Sequence, residues 1–121
     1  MELNISTHNG NIKCDSFEAI ENLILQSTKS LPDDIWISRK EYPCLAISIN
    51  GTNACIHYFL NDEGDMWQAI GNGEEDTEFM TNGEISVLPG EAVVSIEMAL
   101  LCAKNFFESN EKPCCVQWRE L

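Results

Sequence analysis

Apolar positions along this chain change their period several times, and each change marks an element. Leu3 and Ile5 alternate with polar neighbours, and Ile12 to Cys14 can pair back across a His8-Asn9-Gly10-Asn11 turn. Phe17, Ile20, Leu23 and Ile24 then recur at helical spacing. This predicts a helix from about Ser16 to Lys29, with Asp15 or Ser16 as N-cap, Glu18 placed for a capping box, and Leu31-Pro32-Asp33-Asp34 ending it. From Ile35 the period returns to two. Strands are predicted over Ile35–Arg39, Cys44–Ile49, Ala54–Leu60 and Asp65–Ile70, joined by turns at Lys40–Pro43, Asn50-Gly51 and Asn61–Gly64. Ala54–Leu60 is apolar on both faces, as a central strand would be. Beyond a loop at Gly71–Asp76, Thr77–Thr81 reads as a short strand and Ile85–Leu88 as a strand or irregular chain.

A second helix is predicted from about Glu91 to Ser109. Val93, Ile96, Leu100, Ala103 and Phe107 form its apolar stripe, widened by Val94, Leu101 and Phe106. Pro113 stops it, and Cys115–Glu120 reads as a last strand with Val116 and Trp118 facing one way. With 121 residues and no repeat or linker, the chain fits one domain over 1–121. The element order and short connections predict an α+β fold, an antiparallel β-sheet meander with two α-helices packed on one face.

Charge sharpens the picture. Twenty Asp and Glu against seven Lys and Arg give a net charge of −13. Such a field repels nucleic acid and anionic membrane surfaces and attracts basic partners. The acids concentrate in Asn61–Glu84, which carries Asp62, Glu63, Asp65, Glu74, Glu75, Asp76, Glu78 and Glu84, and nothing between Glu41 and Ala103 is Lys or Arg. Met66, Trp67, Ile70, Phe79, Met80 and Ile85 are threaded through the same stretch, and apolar residues in that number call for burial, so it reads as strands and loops rather than a disordered tail. Trp67, flanked by Asp65 and Gln68, is an aromatic with a charged rim and is placed at a binding surface, with burial under the Gly71–Glu75 loop as the alternative. Trp118 is placed in the core.

Other chemistry finds little support. An EF-hand loop centred on Gly83 would need ligands at Met80 and Pro89, and one centred on Gly64 would begin at Phe59. Gly71-Asn72-Gly73 is half a phosphate loop with anionic neighbours, and reads as a turn. The six cysteines include no C-x-x-C pair, and His8 and His57 lie far apart, so no metal or cofactor is expected. The first residues carry neither a basic nor an apolar signal region, and no run approaches the ~18 residues of a membrane span; the expected setting is cytoplasmic, with free, mostly buried thiols. Cys55 and His57, two residues apart on one strand face, are the one arrangement that could support a cysteine-dependent enzyme. A small acidic adaptor or binding module is a further alternative.

The C-terminal half adds a resemblance. Gly73 to Phe79, Ile85-Ser86-Val87, the helix with Phe106 and Phe107, Lys112-Pro113 and Cys115-Val116-Gln117-Trp118 together resemble the first-numbered Imm family of immunity proteins, which accompany bacterial polymorphic and contact-dependent toxins. The family pattern, a Glu-Phe pair in an acidic aromatic region, a helix, a Pro and a closing Val-x-Trp, falls here on Glu78-Phe79, the helix from Glu91, Pro113 and Val116-Gln117-Trp118. Met80 stands where a Pro often follows the pair, and Asn110 where a Gly often ends the helix. The resemblance implies an inhibitor and not an enzyme: a cytoplasmic protein that binds the C-terminal domain of a cognate toxin, commonly a nuclease or a nucleic-acid deaminase. The eight acids of Asn61–Glu84, with Trp67, are then the expected contacts to a basic toxin surface.

Overall fold

Where β-branched and aromatic residues alternate with polar ones, the chain forms strands, and the two helical stripes pack together over the sheet they make. A computed structural model describes residues 3–7, 10–29, 32–81 and 83–121. Along these residues run β1 (Leu3–Thr7), β2 (Gly10–Cys14), α1 (Phe17–Ser27), β3 (Asp33–Ser38), β4 (Cys44–Asn50), β5 (Asn53–Phe59), β6 (Met66–Ala69), β7 (Thr77–Thr81), β8 (Glu84–Leu88), β9 (Val94–Ser95), α2 (Ile96–Ser109) and β10 (Trp118–Glu120). The main sheet has the order β10-β6-β5-β4-β3-β1-β2, with β9 added beside the start of β5. Its pairings are antiparallel, so the fold is the expected α+β meander. The first turn lies partly outside the described residues, at His8 and Asn9, as does Leu31 after α1.

Register assigns the two faces. Leu3 and Ile5, Ile35 and Ile37, Leu45, Ile47 and Ile49, and Ala54, Ile56 and Tyr58 point to one side and form the main core with Ile20 and Ile24 of α1 and Ala99, Cys102, Ala103 and Phe106 of α2. Alternate residues must point the other way. There Cys55 meets Phe79 of β7 and Val93 in a second, smaller core. β5 is thus buried on both faces at its start, as its double apolar pattern required.

α1 starts from one of its two expected caps, whereas α2 starts later than the periodicity predicts. Ser16 occupies the N-cap of α1 in extended conformation but its side chain makes no capping bond. For α2 the expected start at Glu91 is displaced to Ile96: Gly90–Ala92 form a 3-10 turn, Val94 pairs with Ala54, and Ser95 Oγ accepts the Met98 amide at 3.1 Å. β-branched Val93-Val94 fit a strand, and a serine that caps is a better start than either. The buried line of α2 is also shifted. It follows Ala99, Cys102, Ala103 and Phe106, whereas Leu101 is exposed. Three of the four buried positions hold small residues, and Ile96, Leu100 and Phe107 of the expected stripe flank them half-buried. At its other end Asn110 takes a left-handed φ of 56°, the conformation a glycine would supply, which asparagine tolerates. The Arg39 guanidinium donates to the Phe107 carbonyl at 2.8 Å in the last turn.

The closing strand is short, Trp118–Glu120 rather than Cys115–Glu120. Trp118 is half-buried against Tyr58, with Nε1 donating to the Pro113 carbonyl at 2.7 Å. The six cysteines are free thiols. Among the described residues no helix is long and apolar enough to cross a membrane.

Candidate functional site

The eight carboxylates of 61–84 are all exposed, and among the described residues none pairs with Lys or Arg. They do not form one surface, however. Asp62, Glu63 and Asp65 sit in the β5–β6 turn, which organises itself: Asn61 Nδ2 donates to Asp65 Oδ2 at 2.9 Å, Asn61 Oδ1 accepts the Glu63 amide, and the Leu60 amide donates to the Asp65 carbonyl. Glu74, Glu75 and Asp76 precede β7, Glu78 lies within it, and Glu84 opens β8. That group belongs to the other end of β5. Asn72 donates to the Val93 carbonyl, next to the Val94–Ala54 pair, and Asn50 Nδ2 donates to the Glu78 carbonyl at 2.8 Å. The seven residues of β5 separate the two groups by about 20 Å at ~3.3 Å per residue. The continuous acidic stretch of the sequence is therefore two patches in space, because β6 carries the chain back along β5 between them.

The second patch is mounted on a separate two-stranded sheet. β7 and β8 pair from Thr77–Leu88 to Thr81–Glu84, and β7 lies against β4, β3 and β5 on the face away from the helices. Phe79 anchors them, fully buried against Cys55 and Val93. Its partner across the hairpin is Ser86, so Thr77, Ser86 and Leu88 share the inward face and Thr81 Oγ1 reaches Ser86 Oγ at 2.9 Å. Glu78, Met80, Ile85 and Val87 then point outward. Of the six apolar residues expected to be buried in the acidic stretch, Phe79 alone is fully buried, while Ile70 and Ile85 are exposed. Strand alternation hides one face only, and here a serine holds the inward place.

The chain reaches this hairpin through a close backbone crossing that sequence reasoning took for a plain turn. Gly71 donates to the Glu91 carbonyl, and a Cβ on Gly71 would collide with the Val93 carbonyl. A Cβ on Gly73 would stand 2.8 Å from the Val93 Cβ, and one on Gly90 would strike the Gly73 carbonyl. Three glycines let 71–73 and 90–93 touch backbone to backbone.

Trp67 goes to the helix side, half-buried beside Tyr58, with Lys112 Nζ 4.5 Å above its ring. It neither lies under the Gly71–Glu75 loop nor shares the hairpin surface. Lys112 and Arg119, from the last ten residues, border β6, so the run without cations in sequence is not without them in space. Arg119 meets Glu91 at 3.6 Å.

Cys55 and His57 do share a face of β5, as their spacing predicts. Cys55 lies beneath the hairpin and burial pushes its thiol up to about 12, the reverse of an activated nucleophile. His57 Nε2 faces the Gln68 amide nitrogen at 3.1 Å, and burial lowers its pKa. A lowered folded-state value means that the unfolded chain takes up the proton first as pH falls. His57 therefore costs stability below its free value of about 6.5 and nothing above it. Chemical-denaturation midpoints are expected to fall between pH 7.5 and 5.5, and less so in His57→Gln; equal slopes would remove His57 as the cause. Beside it on the same face, Trp36 stacks on Phe59 at 5.2 Å, and a cleft of about 680 Å³ opens between Trp36, Tyr42, Lys40 and Lys13. Among the described residues no three His, Cys, Asp or Glu are grouped to hold a metal ion.

Comparison with known proteins gives a family. A model described as Immunity protein Imm1 matches residues 18–120, from early in α1 to the end of β10. No curated protein matches the chain. The match spans both helices, the meander from β3 onward, the hairpin and the closing Val-x-Trp, and by that extent this chain belongs to the Imm1 family of immunity proteins.

Proposed function

We propose that the chain neutralises a cognate toxin domain by covering a basic surface on it, without making or breaking a bond itself. Family membership supplies the toxin-immunity role in general. The observation that carries the finer reading is the set of exposed carboxylates with no Lys or Arg partner among the described residues, held on a hairpin and a turn that are both locally ordered. Unpaired exposed acids on an ordered frame keep their field pointed outward, and a partner meets it without first breaking internal ion pairs. Enzymes that act on nucleic acid need basic clefts, so a nuclease or deaminase toxin domain is the partner that this surface suits. The proposed setting is the cytoplasm, with no cofactor.

The test uses the toxin domain that a pull-down from the native host, with the partner identified by mass, supplies. Reversing Glu74, Glu75 and Asp76 to Lys is expected to slow association about tenfold or more at low salt, and to flatten its salt dependence, with little change in dissociation. Stopped-flow traces at several ionic strengths measure both. Unchanged kinetics would take this loop out of the interface.

A further inference from the structure

The outward face of the β7–β8 hairpin carries aliphatic side chains that the described fold leaves exposed. Val87 and Ile85 are 61% and 55% exposed, the two most exposed large apolar side chains among the described residues. They lie two residues apart on β8 and so stand side by side on one face, next to Met80, which pairs with Ile85. Glu78 pairs with Val87 on that same face and Glu74 to Asp76 lie just before β7, whereas Glu84, opposite Thr81, alternates to the other face. An apolar centre with a charged rim is the anatomy of a protein interface, in which the centre carries most of the energy.

Building on the reading above, we infer that this face, centred on Ile85 and Val87, is where the toxin domain docks, through an apolar patch ringed by Lys and Arg. Charge decides the occupant. Among the described residues β8 pairs with β7 alone, and an edge strand showing two aliphatic side chains invites self-association. A second copy would bring the same carboxylates against these and the same net charge of −13, so like copies repel where a basic partner gains. The cleft beside Trp36 suits a basic partner less, since Lys13 and Lys40 line it. The Asp62–Asp65 turn, at the far end of β5, lies outside the docking face and acts on the partner only through its long-range field.

Two measurements test this with the full chain and the toxin domain identified by pull-down. Ile85→Asp/Val87→Asp changes only outward side chains, so its melting temperature is expected to stay close to that of the parent. Its affinity for the toxin domain is expected to fall at least 100-fold, mostly through faster dissociation. Hydrogen exchange of the unaltered protein is expected to slow over 77–88 on binding and to be unchanged over 60–65. Parent-like affinity of the double variant, or protection confined to 36–44 or 60–65, would overturn the docking face while leaving the inhibitor role intact. A parent chain that dimerises at micromolar concentration, with the double variant monomeric, would assign the face to a second copy and also overturn it. A parent chain that fails to bind the toxin domain at all would overturn the functional reading and this inference with it.

Discussion

Phe79→Ala is expected to lower stability by about 3–5 kcal/mol, the usual cost of emptying a fully buried phenylalanine site. The effect should be uneven across the molecule. Phe79 is the large side chain joining the β7–β8 sheet to the main one, and its neighbours there are Cys55, Val93 and the half-buried Leu88. A two-stranded hairpin is barely stable by itself, so without this anchor it should open locally before the meander unfolds. Amides of 77–88 should exchange much faster, while those of β4 and β5, covered by the main core, should change far less. Denaturant titration and hydrogen exchange read the two consequences separately. A loss below about 1 kcal/mol would mean that the Asn50 bond to the Glu78 carbonyl and the glycine crossing hold the hairpin without the ring. Because Phe79 points inward, weaker toxin binding by this variant would come from a displaced surface, and not from a lost contact.

Gly71→Ala is expected to cost about 3 kcal/mol, the upper end of what overpacking ordinarily costs. The obstacle is the Val93 carbonyl, which is not free to retreat: it accepts the Asn72 amide at 3.1 Å, and Val93 itself packs on Phe79 and Cys55. A long side chain in the way could swing aside, but a backbone carbonyl moves only with its strand. Relief would have to come from separating 71–73 from 90–93, which breaks the Gly71 bond to the Glu91 carbonyl and shifts the entry to both β7 and β9. The urea midpoint should fall accordingly, with the hairpin again the first part to lose exchange protection. An unchanged midpoint would show that the crossing yields at little cost.

Much of the fold was legible from residue order because it is set by local period. The alternation at Cys44–Ile49, the Asn50-Gly51 turn and the doubly apolar Ala54–Leu60 each determine conformation within a few residues, and the meander follows from their short connections. The family motif was also legible, since Glu78-Phe79 and Val116-Gln117-Trp118 are contiguous. The start of α2 was misplaced because Val93 and Val94 satisfy a helical stripe and a strand equally well. What tipped the balance was a pairing partner for Val94, Ala54, forty positions away.

The candidate site was legible in composition and not in layout. Sequence alone determined that this chain is strongly acidic, of α+β class and of the immunity type, and that its acids crowd into one stretch. Tertiary structure alone decided that β6 divides those acids between two ends of the sheet, that Trp67 turns to the helix side under Lys112, and that Ile85 and Val87 face outward while Ser86 faces in. It also decided that Gly71, Gly73 and Gly90 meet at one crossing. The reason is physical: period and charge are properties of neighbours along the chain, whereas the face a residue presents depends on which strands lie beside it, and those partners are chosen by burial across the whole domain.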